Sequence, residues 1–153
     1  MAAEEPRWLS AEQQTVWRSW LLARDRIERV LDAELRPHGL DLAEYEILVC
    51  LSEAPQRQLR MSELAAQVHQ SRSRLTHTIG RMETDALVRR ERAPRDGRGV
   101  LAVLTNEGLD LLVRVAPAHV ASVRRVFVDA VDPDDFTAVG RAMRAVLDAE
   151  AEA

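Results

Sequence analysis

The sequence predicts a mainly α-helical fold with a small two-stranded β element, in the order α-α-α-α-β-β-α-α. Three observations carry this expectation. Apolar residues recur at helical spacing in six stretches, capping residues open several of them, and the period changes to two on either side of a single Asp-Gly pair.

Ser10-Ala11-Glu12-Gln13 has the form of a capping box and opens the first helix, about 25 residues long. Val16, Trp20, Ile27, Val30 and Leu31 form its apolar stripe, and Pro37 and Gly39 end it. Asp41-Leu42-Ala43-Glu44 is a second capping box, followed by Tyr45, Leu48, Val49 and Leu51, with Pro55 as terminator. A third helix fits Ser62 to Val68 with Ser62 as N-cap. After the turn His69-Gln70, Ser71 caps a fourth helix that runs to about Asp85 and turns Leu75, Ile79 and Met82 inward. Two helices separated by so short a turn form a helix-turn-helix.

Leu87 to Arg92 and Val100 to Leu104 then read as two strands. The Asp96-Gly97 pair between them suits a hairpin turn because both residues tolerate positive φ. The result is a two-stranded ribbon with a basic tip, a wing beside the helix-turn-helix. Thr105 caps the next helix, with Glu107 in its first turn, and Pro117 is expected to bend or break it near residues 114–117. Asp132-Pro133-Asp134-Asp135 starts the last helix, whose apolar face is Phe136, Val139, Met143, Val146 and Leu147. The long outer helices have too little apolar partner surface in one chain, which points to a homodimer. Residues 1–40 and 105–153 then form a helical dimerisation region, and 41–104 the winged helix-turn-helix.

Length and composition bound the function. The chain's 153 residues, 46% apolar and 30% charged, suit one globular domain rather than a disordered chain. One cysteine excludes a disulfide framework, and four scattered histidines lack metal-ligand spacing. No cofactor is expected. No apolar run reaches the ~20 residues of a membrane span and the N-terminus lacks a signal-peptide core, so a cytoplasmic protein without membrane contact is the expectation. An enzyme is remote: there is no lysine, no glycine-rich phosphate loop and no evident nucleophile–base pair.

The formal charge of −4 conceals an asymmetry. Residues 57–98 carry ten arginines against five acids, whereas both flanks are acidic. A basic island on an acidic body suggests a surface that faces a polyanion, although a solvated surface with clustered charge has the same composition. The outward face of the fourth helix presents Ser73, Arg74, His77 and Arg81, with Arg72 and Thr76 beside them. Arginine there can donate a bidentate pair to guanine O6 and N7, worth about 1–3 kcal/mol of discrimination. Ser71 and the helix-start amides suit phosphate oxygens. At the wing tip, Arg95 and Arg98 suit a narrow minor groove, and Asp96 is expected to hold Arg98 by a charge-assisted hydrogen bond.

The run Ser71-Arg72-Ser73-Arg74-Leu75-Thr76 to Arg81-Met82-Glu83, then Leu87-Val88-Arg89-Arg90, then Asp96-Gly97-Arg98 to Leu104-Thr105-Asn106-Glu107-Gly108, resembles the multiple-antibiotic-resistance-regulator (MarR) family. The resemblance implies a dimeric winged-helix transcriptional regulator, usually a repressor, that binds double-stranded DNA and is released by a small, often aromatic or phenolic, ligand. It makes Ser71 to Arg81 the recognition helix and Asp96 and Arg98 the wing pair. Ala86 departs from the family pattern, which places glycine before the Leu-Val. Effectors of relatives bind between the dimerisation helices and the DNA-binding unit. Trp17, Trp20, His38, Tyr45 and His119 are the candidates here, and the same rings suit core or interface anchoring. Two alternatives stand beside this reading: a winged-helix protein–protein adaptor without DNA binding, and a redox-sensing regulator acting through Cys50. Cys50 lies in an apolar stretch with no adjacent base, the setting of an unreactive thiol.

Overall fold

A computed structural model describes residues 6–93 and 99–150. Helix α1 (Ala11–Leu35) starts on the Ser10–Gln13 capping box and α2 (Leu42–Glu53) on the Asp41–Glu44 box, both with reciprocal bonds formed. A single 3-10 turn, Arg36–His38, and Gly39 at φ +75° join them. After a second 3-10 turn, Pro55–Arg57, comes a strand that the sequence reading lacks, β1 (Gln58–Arg60). Helices α3 (Met61–Gln67) and α4 (Arg72–Thr84) follow, then β2 (Val88–Arg92), β3 (Val100–Leu104), α5 (Asn106–Val123) and α6 (Pro133–Glu150).

Three expectations are corrected. The sheet has three strands among the described residues, in the order β1-β3-β2 and antiparallel throughout, so the wing ribbon is anchored by a third strand at its base. Three residues hold too little periodicity to signal a strand; β1 exists because Leu59 pairs with Ala102 from across the chain. The strand also moves the start of α3, whose N-cap is Arg60 rather than Ser62, with the Glu63 carboxylate accepting the Arg60 amide at 3.2 Å. Finally, α5 runs unbroken through Pro117. The proline removes one N–H, but Leu112, Val115 and Ser122, all buried, hold the helix on either side of it. The irregularity comes later, as a π turn over Arg124–Val128 closed by the Asp129 amide donating to the Arg124 carbonyl at 2.7 Å.

The core lies within the helix-turn-helix and sheet. Ile47, Leu48 and Leu51 of α2 meet Leu64 of α3, Leu75, Ile79 and Met82 of α4, Val88 of β2 and Ala102 of β3. Each fully buried aliphatic side chain contributes about 1.5–3 kcal/mol. Leu35 of α1 and Val115 of α5 extend the same cluster, so the outer helices dock on this unit through their inner ends. The N-terminal half of α1 lies outside it, leaving Val16, Trp17, Leu21 and Leu22 exposed.

Candidate nucleic-acid interface and effector cleft

The inward residues of α4 fix its roll: Leu75, Ile79 and Met82 are fully buried and Thr78 nearly so. The opposite face therefore points outward, with Arg72, Ser73, Arg74, Thr76, His77 and Arg81 exposed. Ser71 is exposed too, and its Oγ accepts the Arg74 amide at 3.2 Å as the N-cap. That bond uses the hydroxyl's lone pair and leaves its O–H free to donate to an anionic oxygen. The Arg72 and Ser73 amides sit in the helix's first turn, where no intrahelical acceptor exists. Thr76 Oγ1 donates to the Arg72 carbonyl at 2.8 Å. A groove of about 360 Å³ brings Arg60 and Ser62 beside Arg72 and Thr76, with Gly99 and Val100 at the wing's base. Sequence reasoning missed Arg60 here, because only the unpredicted strand β1 carries it to this groove.

Arg81 behaves differently from its neighbours. Its Nε donates to Glu44 Oε1 at 3.2 Å, and its Nη2 donates to Glu44 Oε1 at 3.0 Å and Asp41 Oδ2 at 2.9 Å. The hydrogen bond to Glu44 is the largest cause that raises its already high pKa. The expected base- or phosphate-contacting arginine is thus engaged as a clamp between the last turn of α4 and the start of α2. Gly80, one residue earlier, faces open space: beyond its own helix backbone and chain neighbours, a Cβ there would meet no described atom within 4 Å.

Glu83 ties the same helix end to the wing. Its carboxylate accepts the Arg90 amide at 2.7 Å and the Arg90 Nε at 2.8 Å, and the Arg90 guanidinium holds its pKa below the usual carboxylate range. The wing residues Arg95 and Arg98, with Asp96 between them, lie outside the described residues.

Behind this surface, α1, α2, α5 and the π turn, with Gln67 to His69 and Met143 of α6, line an open cleft of about 740 Å³. It gathers Trp20, Tyr45 and His119 of the expected ligand contacts; Trp17 and His38 do not line it and are exposed. The Tyr45 and His119 rings lie 4.1 Å apart, tilted by 33°. Burial lowers the His119 pKa and raises that of Tyr45, so each ring is held in its neutral form. His119 Nδ1 is buried with no hydrogen-bond partner among the described residues. Cys50 also lines the cleft, half-buried, with its thiol donating to Gln67 Oε1 at 2.9 Å. Burial first, and Glu53 second, push its pKa up, the opposite of what a reactive thiolate needs. Among the described residues no group of His, Cys, Asp and Glu could hold a metal ion, and no helix is long and apolar enough to cross a membrane.

A helix-turn-helix with an outward polar helix, flanked by a sheet-anchored wing and long outer helices, defines a winged-helix protein of the transcription-regulator class. Comparison with known proteins agrees. The MarR family profile matches residues 38–99. AbsC, a MarR family transcriptional regulator from Streptomyces coelicolor, is 44% identical with a TM-score of 0.91, covering 97% of this chain and 100% of its own. Sco3205, a MarR family regulator from the same organism solved in complex with DNA, is also 44% identical with a TM-score of 0.91, covering 96% of this chain and 92% of its own. The HTH-type transcriptional regulator YkoM of Bacillus subtilis is 27% identical over 65% of this chain, and the match spans 63% of YkoM, under two thirds of its length. The chain belongs to the MarR family of transcriptional regulators.

Proposed function

We propose that this chain is a cytoplasmic, sequence-specific regulator of transcription that binds double-stranded DNA as a homodimer, acts as a repressor, and is released by a small aromatic ligand. The observation that carries this reading is the exposed face of α4, where Arg72, Arg74 and His77 stand clear of the core beside the Ser71 cap. The DNA complex of Sco3205 supports it by similarity. Residues 41–104 are the DNA-binding unit, and 1–40 with 105–153 the dimerisation region. Arg74 reads a base edge, His77 contacts a base or phosphate, and Ser71, Ser73, Arg72 and Thr76 grip the backbone. Arg95 and Arg98 enter a minor groove, with Asp96 orienting Arg98. Two recognition helices related by a two-fold read a pseudo-palindrome with half-sites about 10 bp apart. The cleft behind α2 takes the effector, with Trp20, Tyr45 and His119 as its contacts.

Gel-shift titration against the DNA upstream of its own reading frame tests this. Log affinity is expected to fall with log salt by about 0.9 per phosphate neutralised. Arg74→Ala should lose about 1–3 kcal/mol and relax preference at one position per half-site, whereas Arg98→Ala should weaken all sequences alike. A flat salt response, or unchanged affinity in both variants, would overturn the reading in favour of a protein–protein adaptor.

A further inference from the structure

The rings and the charges of the cleft together define the chemistry of its ligand, an inference that rests on reading this cleft as the effector site. Trp20, Tyr45, His119 and Phe127 bring four aromatic rings to one cavity. The formally charged groups on the same walls are one arginine, Arg24, and three glutamates, Glu28, Glu46 and Glu53, and the imidazole of His69 lines them too. Arg24 lies 3.6 Å from Glu28 and is already answered. Glu46 and Glu53 have no cation at ion-pair distance among the described residues. Desolvation, and then the Glu28 carboxylate, raise the Glu46 pKa, and the opposing charges of His69 and Arg74 do not cancel that rise. His119 adds no positive charge near neutral pH, because burial favours its neutral form.

An aromatic carboxylate entering this cleft meets two carboxylates without an ion-pair partner, opposed only by the His69 imidazole and the Glu28-paired Arg24. An aromatic amine meets π faces that attract a cation and carboxylates that accept its N–H groups. We propose that the cleft binds a small aromatic molecule bearing a protonated amine and discriminates against aromatic carboxylates of the same size.

Three probes of similar size separate the charge from the ring: phenethylamine, phenylacetate and 2-phenylethanol. Each is titrated calorimetrically into the full-length protein at pH 7.5. Phenethylamine is expected to bind about tenfold more tightly than the alcohol, the scale of one desolvated cation–π contact, and the carboxylate more weakly than either. Glu46→Gln with Glu53→Gln should erase the preference for amine over alcohol while leaving alcohol binding in place. A carboxylate that binds as well as the amine would overturn the charge inference and leave the effector cleft standing. A preference that survives the double substitution would overturn the role of these two glutamates. If none of the probes binds, the effector reading falls together with the inference.

Discussion

The carbonyl oxygen of Leu87 is where three turns of chain converge, and it explains a glycine. The Thr105 amide donates to it at 3.2 Å, the Thr105 hydroxyl lies 2.9 Å from it and 2.7 Å from the Ala86 carbonyl, and the same hydroxyl accepts the Gly108 amide at 2.9 Å. A Cβ on Gly108 would overlap this carbonyl and crowd Leu104 Cδ1 at 2.8 Å. Alanine favours a helix by about 1 kcal/mol over glycine. Backbone cannot yield as a flexible side chain can, so the clash outweighs this, and Gly108→Ala should destabilise by roughly 1–3 kcal/mol. Ala86 is the reverse case. Its φ of +59° is left-handed, a conformation that strains alanine by about 1–2 kcal/mol. Ala86→Gly relieves that strain, loses part of the gain to a more flexible unfolded chain, and should stabilise by roughly 0.5–1 kcal/mol. Urea midpoints for the two variants should move in opposite directions at unchanged slope. The departure from the family's glycine pattern at position 86 was legible in the sequence, and its consequence is that alanine bears this left-handed angle.

Between elements, the Asp41–Glu44 capping box has a second use that its sequence signature conceals. The carboxylates that cap α2 also receive Arg81, so the start of α2 and the end of α4 share one polar junction. Asp32 extends it toward α1: its carboxylate accepts the Leu42 amide at 3.2 Å and pairs with Arg36 at 2.7 Å. Helix phase showed that Arg81 points away from the core. It could not show a partner 37 residues away in the chain, because phase fixes direction and not what lies there. The same division separates the rest of the fold. Helices of ten or more residues with local caps were legible, since their signals are contiguous. Strand β1 and the continuity of α5 through Pro117 were not, since each depends on packing from remote segments. The Arg81 junction is testable by contrast with Arg74, whose side chain is exposed on the outward face of the same helix. Arg81→Ala leaves the nearly buried Glu44 carboxylate without its cation and should destabilise by about 1–3 kcal/mol, toward the lower end because Arg81 is half exposed. Arg74→Ala should stay within about 0.5 kcal/mol of the native chain. Thermal unfolding of both, with Glu44→Gln to close a double-mutant cycle, checks that the loss belongs to this pair.

Across the whole molecule, the unanswered surface is apolar and lies on the outer helices. Val16, Trp17, Leu21 and Leu22 on α1, Val113 and Val120 on α5, and Val146 and Leu147 on α6 are all exposed. A monomer seldom leaves so many large apolar groups together in water, and patches of this kind mark association. Four charged side chains of α1 are meanwhile paired within the helix, Arg24 with Glu28 and Arg29 with Asp25 at i, i+4. Trp17 and Leu21 are one turn apart on the apolar stripe of α1 and outside the cleft lined by Trp20, Tyr45 and His119, so changing them leaves those walls intact. Placing charge at both, as Trp17→Glu with Leu21→Glu, adds no strain to an exposed helix but would bury two unpaired carboxylates in an interface. The expected outcome is a halved mass by light scattering, with each chain still folded by circular dichroism. DNA affinity should then fall about 100-fold or more, because joining two half-site contacts in one dimer makes the second contact intramolecular. A variant that keeps the dimer's mass would place the interface elsewhere than on α1. One that becomes monomeric with undiminished affinity would show that a single helix-turn-helix reads the site alone.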